Sequence, residues 1–83
     1  MFVDIEDWKN GWLGLEIGLK PNEIDKMIEL LTTLKHDHEQ HFHITSNYKG
    51  EGGIGDIEIF VQDEKIKDSM HFLGEALPPG TEI

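Results

Sequence analysis

Apolar and polar residues alternate in three segments of the chain, at residues 12–19, 41–47 and 56–61. A period of two places alternate side chains on opposite faces of a half-buried β-strand, so this pattern predicts three strands. Phe2–Ile5 adds a shorter fourth strand, because the turn signal Asn10-Gly11 lies between it and residue 12. The first two strands are therefore expected to pair through this turn.

A single amphipathic helix is predicted at about Pro21–Lys35. Proline suits the first position of a helix, because its missing N–H would have no helical partner there. Apolar residues then recur at helical spacing and fill one arc of about 120°. They are Ile24, Met27, Ile28, Leu31 and Leu34, and Leu30 widens the arc. One side of the helix is therefore expected to pack on the sheet.

The order of these elements predicts an α+β fold, with one mainly antiparallel sheet of about four to five strands and the helix packed on one face. Ser69–Leu73 is the candidate for a fifth strand. A single domain is expected over residues 1–83, and Pro78-Pro79-Gly80 predicts a frayed tail from about residue 75. The expected core is Leu13, Leu15, Ile17, Leu19, Ile24, Met27, Ile28, Leu31, Leu34, Phe42, Ile44, Ile57, Ile59 and Val61.

The face of this sheet that points away from the helix would carry the alternate residues. They are Trp12, Glu16, His41, His43, Thr45, Glu58 and Phe60. Two large aromatic residues on an uncovered sheet face are unusual in a monomer, so this face is expected to have a cover. Three covers fit the sequence: the C-terminal segment with Met70, Phe72 and Leu73, a second copy of the chain, or a partner protein.

The charge of the chain narrows the class of partner. Seventeen Asp and Glu residues stand against seven lysines, which gives a net charge of -10, and there is no arginine. Such a chain cannot easily build the positive surface that binding to nucleic acid needs. An acidic surface instead speeds encounter with basic proteins. The sequence has no cysteine, which excludes disulfides and thiolate chemistry.

No apolar stretch is long enough to span a bilayer, and the acidic N-terminus lacks the basic start of a secretory signal. We therefore expect a cytoplasmic domain that does not contact membranes.

Four histidines lie close together between residues 36 and 43. On a strand, His41 and His43 would point to the same side about 6.5–7 Å apart, and Glu58 on a paired strand could add a third ligand for a metal ion. A complete site needs three or four converging ligands and groups that orient them, however, and the sequence shows only the pair. We therefore expect solvated histidines and no cofactor, and a metal site at His41, His43 and Glu58 is the alternative.

Catalytic motifs are not found in the sequence. Ser46 and Ser69 lack the G-x-S-x-G pattern of a serine nucleophile. The glycines of residues 50–55 lack the lysine and the serine or threonine of a phosphate-binding loop. The chain is therefore expected not to be an enzyme.

Several segments together look like a known family. A strand that ends in Leu-Lys-Pro-Asn-Glu is followed by a single helix, by His-Phe-His-Ile-Thr-Ser, by a glycine-rich link and by Gly-Asp-Ile-Glu-Ile-Phe-Val. Over residues 12–62 this order resembles the small acidic α+β immunity proteins of bacterial polymorphic toxin systems. The resemblance implies tight binding to a cognate toxin inside the producing cell, and no catalytic residue.

The candidate contacts with such a partner are the outer residues of the sheet and the 48–56 loop. They are Trp12, Glu16, His41, His43, Tyr48, Glu51, Asp56, Glu58 and Phe60. A basic, nuclease-like toxin would match the acidic charge. Two alternatives stay open, a homodimeric structural or regulatory domain and a metal-binding domain that uses His41 and His43.

Overall fold

A computed structural model describes residues 1–73 of the chain, which contain one helix and four strands. In order these are β1 (Phe2–Asp7), β2 (Leu13–Gly18), α1 (Pro21–His36), β3 (His41–Thr45) and β4 (Asp56–Phe60). The predicted α+β class is confirmed, and the helix ends one residue later than expected. The predicted tail beyond residue 75, with Pro78-Pro79-Gly80, lies outside the described residues.

The strands form two separate antiparallel sheets of two strands each. Four strands and antiparallel pairing agree with the prediction, whereas the prediction that the strands form one sheet was wrong. β1 pairs with β2, and β3 pairs with β4. Each pair joins segments that are neighbours along the chain, through residues 8–12 in the first hairpin and residues 46–55 in the second, so loop closure costs little entropy. A single sheet would need a further ladder between the hairpins, and residues 1–73 contain none. Ser69–Leu73 forms no strand.

Local hydrogen bonds mark both ends of α1. Pro21 is its first residue, and the Glu23 carboxylate accepts a hydrogen bond of 2.9 Å from the backbone N–H of Lys20. At the other end the Asp37 N–H donates to the Thr33 carbonyl at 2.9 Å, and Lys35 and His36 lie in the last turn. These features satisfy groups that a helix leaves without intrahelical partners. No helix within residues 1–73 has the length and apolar character that crossing a membrane would require.

The best-covered region of the described chain lies between α1 and the β3–β4 sheet. Leu34 and Phe42 are buried, with 6% and 8% of their surfaces exposed. Met27 and Leu30 of α1 line one groove together with Phe42 and Ile44. The inner side of this sheet is completed by half-buried residues, namely Ile44, Ile57 and Ile59. The predicted alternation is therefore confirmed for residues 41–45 and 56–60.

Part of the predicted core is exposed. Leu13, Leu15 and Ile17 have 62%, 50% and 44% of their surfaces exposed, so the prediction that they are core residues was wrong. The same correction applies to three residues of α1, namely Ile24, Ile28 and Leu31. The reason lies in the arrangement of the elements, because Met27 and Leu30 of α1 lie beside Phe42 and Ile44 of the β3–β4 sheet, whereas the apolar residues of β2 stay exposed.

The described part of the C-terminal segment does not provide the cover expected for the outer sheet face. Residues 62–70 lie beside the end of β4, where the side-chain amide of Gln62 donates 2.8 Å hydrogen bonds to the Ile66 carbonyl and to Asp68. Further along, Met70 and Phe72 are almost fully exposed. The segment shares a groove with Glu58 and Phe60, yet Phe60 itself stays half exposed, so the described residues leave the outer face of β3–β4 largely open.

Candidate functional site

The pairing of β3 with β4 determines which polar residues lie side by side. His41 is opposite Phe60, His43 is opposite Glu58, and Thr45 is opposite Asp56. All six side chains lie on the face that points away from Phe42 and Ile44, and all six are exposed. This outer face of the β3–β4 hairpin therefore contains five of the predicted site residues.

Two histidines converge on one carboxylate at the centre of this face. The Nε2 atoms of His41 and His43 lie 3.9 Å and 3.8 Å from Oε1 of Glu58. The two imidazole rings meet edge to face, with centroids 5.1 Å apart and an angle of 83° between their planes. One nitrogen from each histidine and one carboxylate oxygen all lie within 4.8 Å of one another. The register of the sheet thus supplies the third group that the sequence did not show to be close.

Asp56 orients one of these histidines. Its Oδ2 lies 2.9 Å from Nδ1 of His43, and because a carboxylate can only accept, Nδ1 carries the proton. This hydrogen bond raises the pKa of His43, and the negative charges of Asp56 and Glu58 act in the same direction. Partial desolvation of the ring opposes the rise. When His43 is neutral, its Nε2 therefore offers a lone pair on the side of Glu58.

The 48–56 loop is organised by local contacts. Tyr48 has a positive φ of 57°, and its exposed ring lies over Gly55, where a Cβ would come within 2.8 Å of the ring. Ser46 Oγ accepts a hydrogen bond from the Tyr48 N–H at 3.0 Å, and the Ser46 N–H donates to the Gly55 carbonyl. Glu51 lies exposed at the far end of the loop.

Trp12 and Glu16 do not join the outer face of β3–β4, because they belong to the other hairpin. The prediction that all the outer residues share one sheet face was therefore wrong. Glu16 lies opposite Asp4, and Glu6 lies opposite Gly14, which places three carboxylates on one face of the β1–β2 hairpin. Within residues 1–73 none of these three carboxylates lies within ion-pairing distance of a basic group.

Aromatic residues lie at both ends of this acidic face. The indole of Trp8 lies over Gly14, where a Cβ would come within 3.0 Å of its Nε1. Trp12 lies two residues before Gly14 and four before Glu16, so it falls on the same face, and 72% of its surface is exposed. Phe2 contacts Gly18 at the opposite end. Sequence reasoning missed Phe2, Asp4, Glu6 and Trp8, although their even spacing across the Asn10-Gly11 turn places them on the face of Glu16.

No protein-family model, curated protein or solved structure matches the chain. The chemistry of its two exposed hairpin faces is therefore what indicates a function. One face combines carboxylates with aromatic residues, and the other brings two imidazoles and a carboxylate together.

Proposed function

We propose that this chain is a non-catalytic binding protein, and specifically a toxin-neutralising immunity protein in the cytoplasm of the cell that makes the toxin. The observation that carries the proposal is the acidic face of the β1–β2 hairpin, formed by Asp4, Glu6 and Glu16. The order of segments that resembles immunity proteins supports the same function.

The acidic face is suited to a basic partner. Asp4 and Glu16 lie directly opposite each other, and like charges in that position destabilise a sheet. A partner that brings lysine or arginine side chains to this face would remove the repulsion. The net charge of -10 would also steer such a partner towards the chain and raise the association rate.

The aromatic residues supply the anchors that an interface needs. Tryptophan and tyrosine are enriched among the residues that dominate binding energy. Trp8 and Trp12 flank the acidic face, and both are more than half exposed. Tyr48 and Glu51 of the loop, and Phe60 on the outer face of β3–β4, provide a second region of contact for the same partner.

The proposal is tested with the genes that flank this one in the source genome. Each adjacent gene that encodes a large secreted protein is expressed in a host cell, with and without this chain. We expect growth to be rescued by the wild-type chain, and the rescue to be lost with Glu16→Lys and weakened with Trp12→Ala.

Asp25→Lys is the matched control, because it changes the net charge by the same amount on the exposed side of α1. We expect this variant to rescue growth as well as the wild type. If Asp25→Lys and Glu16→Lys lose rescue equally, the acidic face is not the binding surface. If no adjacent product is toxic and neutralised, the chain is not an immunity protein.

A homodimer is the second candidate, and a separate observation favours it. The face of the β1–β2 hairpin opposite the carboxylates is apolar, with Val3 paired to Ile17 and Ile5 paired to Leu15. Ile5, Leu13, Leu15 and Ile17 are all more than two-fifths exposed. A standard interface buries about 800 Å² on each partner, so a dimer would use this face together with neighbouring surface.

Light scattering on the purified chain tests the dimer. We expect a mass twice the 9.5 kDa of one chain. Leu15→Lys should then yield monomers, whereas Glu16→Lys, on the opposite face of the same strand, should leave the dimer intact. A wild-type chain that stays monomeric at high concentration excludes this candidate and does not affect the toxin-binding proposal.

A further inference from the structure

We propose that the outer face of the β3–β4 hairpin binds a divalent transition-metal ion of the zinc class through His41, His43 and Glu58. This inference does not depend on the toxin-binding function, because it concerns a different hairpin face and a different ligand. It rests on the positions of three side chains and on the hydrogen bond that orients one of them.

The three donor atoms are almost at coordination distance. Zinc–nitrogen and zinc–oxygen bonds of about 2.0–2.2 Å place the ligand atoms of a tetrahedral site roughly 3.3–3.5 Å apart. The observed separations from Glu58 Oε1 to the two Nε2 atoms are 3.8 Å and 3.9 Å. Because all three side chains are about half exposed, small rotations of their side-chain torsions suffice to close the remaining gap.

The backbone holds the ligands in place before any ion arrives. His43 and Glu58 are cross-strand partners, and His41 lies two residues along the same strand on the same face. The hydrogen-bonded ladder therefore fixes the Cβ positions of all three ligands. Two histidines with one residue between them on a flexible segment would not be held on the same side, next to the same carboxylate.

Asp56 supplies the orienting contact that functional metal sites use. A metal-binding histidine almost always donates its second ring N–H to a carboxylate, a carbonyl or water. His43 makes this contact through Nδ1 to Asp56 at 2.9 Å, so the proton of the neutral ring lies on Nδ1 and Nε2 is free to bind an ion. Asp56 thus does not bind the ion itself and instead orients the ring of His43 towards it.

The donor set selects the class of metal. Two imidazole nitrogens and one carboxylate suit Zn²⁺, Co²⁺, Ni²⁺ or Cu²⁺, whereas Mg²⁺ and Ca²⁺ prefer a shell of oxygen atoms. Three protein ligands leave a coordination position for water or for a side chain of a bound protein. Because the site is exposed and its ligands come from one hairpin, the ion would bind reversibly to an already folded chain.

Calorimetric titration of the untagged full chain with Zn²⁺ tests the site. We expect one ion per chain, no measurable binding of Mg²⁺, and at least a tenfold loss of affinity with His41→Ala, His43→Ala or Glu58→Gln. Asp56→Asn should weaken binding by about 10-fold to 100-fold, which is the usual cost of losing an outer-shell partner. His36→Ala is the matched control and should bind zinc as the wild type does.

A second measurement uses only the wild-type chain, so that misfolded variants do not limit the test. Paramagnetic Co²⁺ should broaden or shift the NMR signals of residues 41–45 and 56–60 at lower ion concentration and more strongly than those of residues 36–38. The proposal is overturned if the signals of residues 36–38 change first, if His36→Ala loses as much affinity as His41→Ala, or if Zn²⁺ binds no better than Mg²⁺.

Discussion

At the scale of the single residue, burial separates side chains that the sequence does not distinguish. Leu34 and Leu15 are the same type of residue, and both occupy apolar positions of a periodic pattern. Leu34 is buried, with 6% of its surface exposed, whereas half of Leu15 is exposed. The same substitution at the two positions therefore measures how much burial against another element contributes to the free energy of unfolding.

Leu34→Ala should lower the free energy of unfolding by about 2–5 kcal/mol, through lost burial and the cavity that remains. Leu15→Ala should lower it by about 1 kcal/mol or less, because much of the side chain is already in water. Urea denaturation at low protein concentration, where self-association is weak, measures both values. Equal losses would show that the β1–β2 hairpin packs on the core.

Glu23 links a single side chain to the pH dependence of stability. Its hydrogen bond from the Lys20 N–H lowers its pKa in the folded chain, and the nearby Met1 amino group acts in the same direction. A carboxyl group with a lowered folded pKa stabilises the fold above its unfolded pKa and loses this effect as the pH falls through the folded value.

Glu23→Gln should therefore destabilise the chain at neutral pH, and the difference from wild type should disappear in acid, below the folded pKa of Glu23. Thermal unfolding measured from neutral pH down to strongly acidic pH tests this. Glu29→Gln is the control, since Glu29 is an exposed residue of the same helix with one long contact to Lys26. A pH-independent effect at Glu23 would contradict the capping role.

At the scale of the element, the β1–β2 hairpin is stabilised by side chains on its own surface. The Trp8 indole covers Gly14 on the cross-strand neighbour, an arrangement in which an aromatic ring shields a glycine within a sheet. Lys9 has a positive φ, and the Asn10 side chain accepts a hydrogen bond of 3.0 Å from the Trp12 N–H, which together close the turn.

Gly14→Ala should displace the Trp8 ring, because the new methyl group would lie 3.0 Å from its Nε1. In a Trp12→Phe background Trp8 is the only tryptophan, and we expect Gly14→Ala to shift its fluorescence emission spectrum. Gly18→Ala is the control, since its Cβ would meet Phe2 at an ordinary 3.6 Å. Unchanged emission in Gly14→Ala would show that Trp8 does not lie over Gly14 in solution.

At the scale of the whole molecule, we expect the fold not to depend on the proposed metal site. All three ligands and Asp56 belong to one hairpin that backbone hydrogen bonds already hold together. A zinc ion at this position would join no distant elements, unlike the four-ligand structural sites that organise small domains.

Thermal melts of the full chain with and without a chelator should therefore coincide. Saturating zinc should raise the melting temperature of the wild-type chain, which has His41, His43 and Glu58, by a few degrees, because ligand binding stabilises the folded state. A loss of more than about 10 °C with chelator alone, larger than the shift that 1 kcal/mol causes in a domain of this size, would make the metal a structural component.

The candidate site was partly accessible from the sequence. Alternation assigned His41, His43 and Glu58 to one face, and the structure confirms that face. The convergence of their nitrogen and oxygen atoms could not be predicted, because it depends on His43 pairing with Glu58 rather than with a residue one or two positions away. The contact between Asp56 and His43 follows from the same register.

The amino-acid sequence is sufficient for the local features of this protein, namely the periods of the strands and the helix, the proline at the start of α1 and the net charge of -10. These depend on neighbouring residues and on composition alone. Packing between elements, in contrast, settles that the two hairpins form separate sheets and that Leu13, Leu15 and Ile17 stay exposed. The physical reason is that periodicity specifies which face of an element is apolar, whereas burial depends on which other element covers that face.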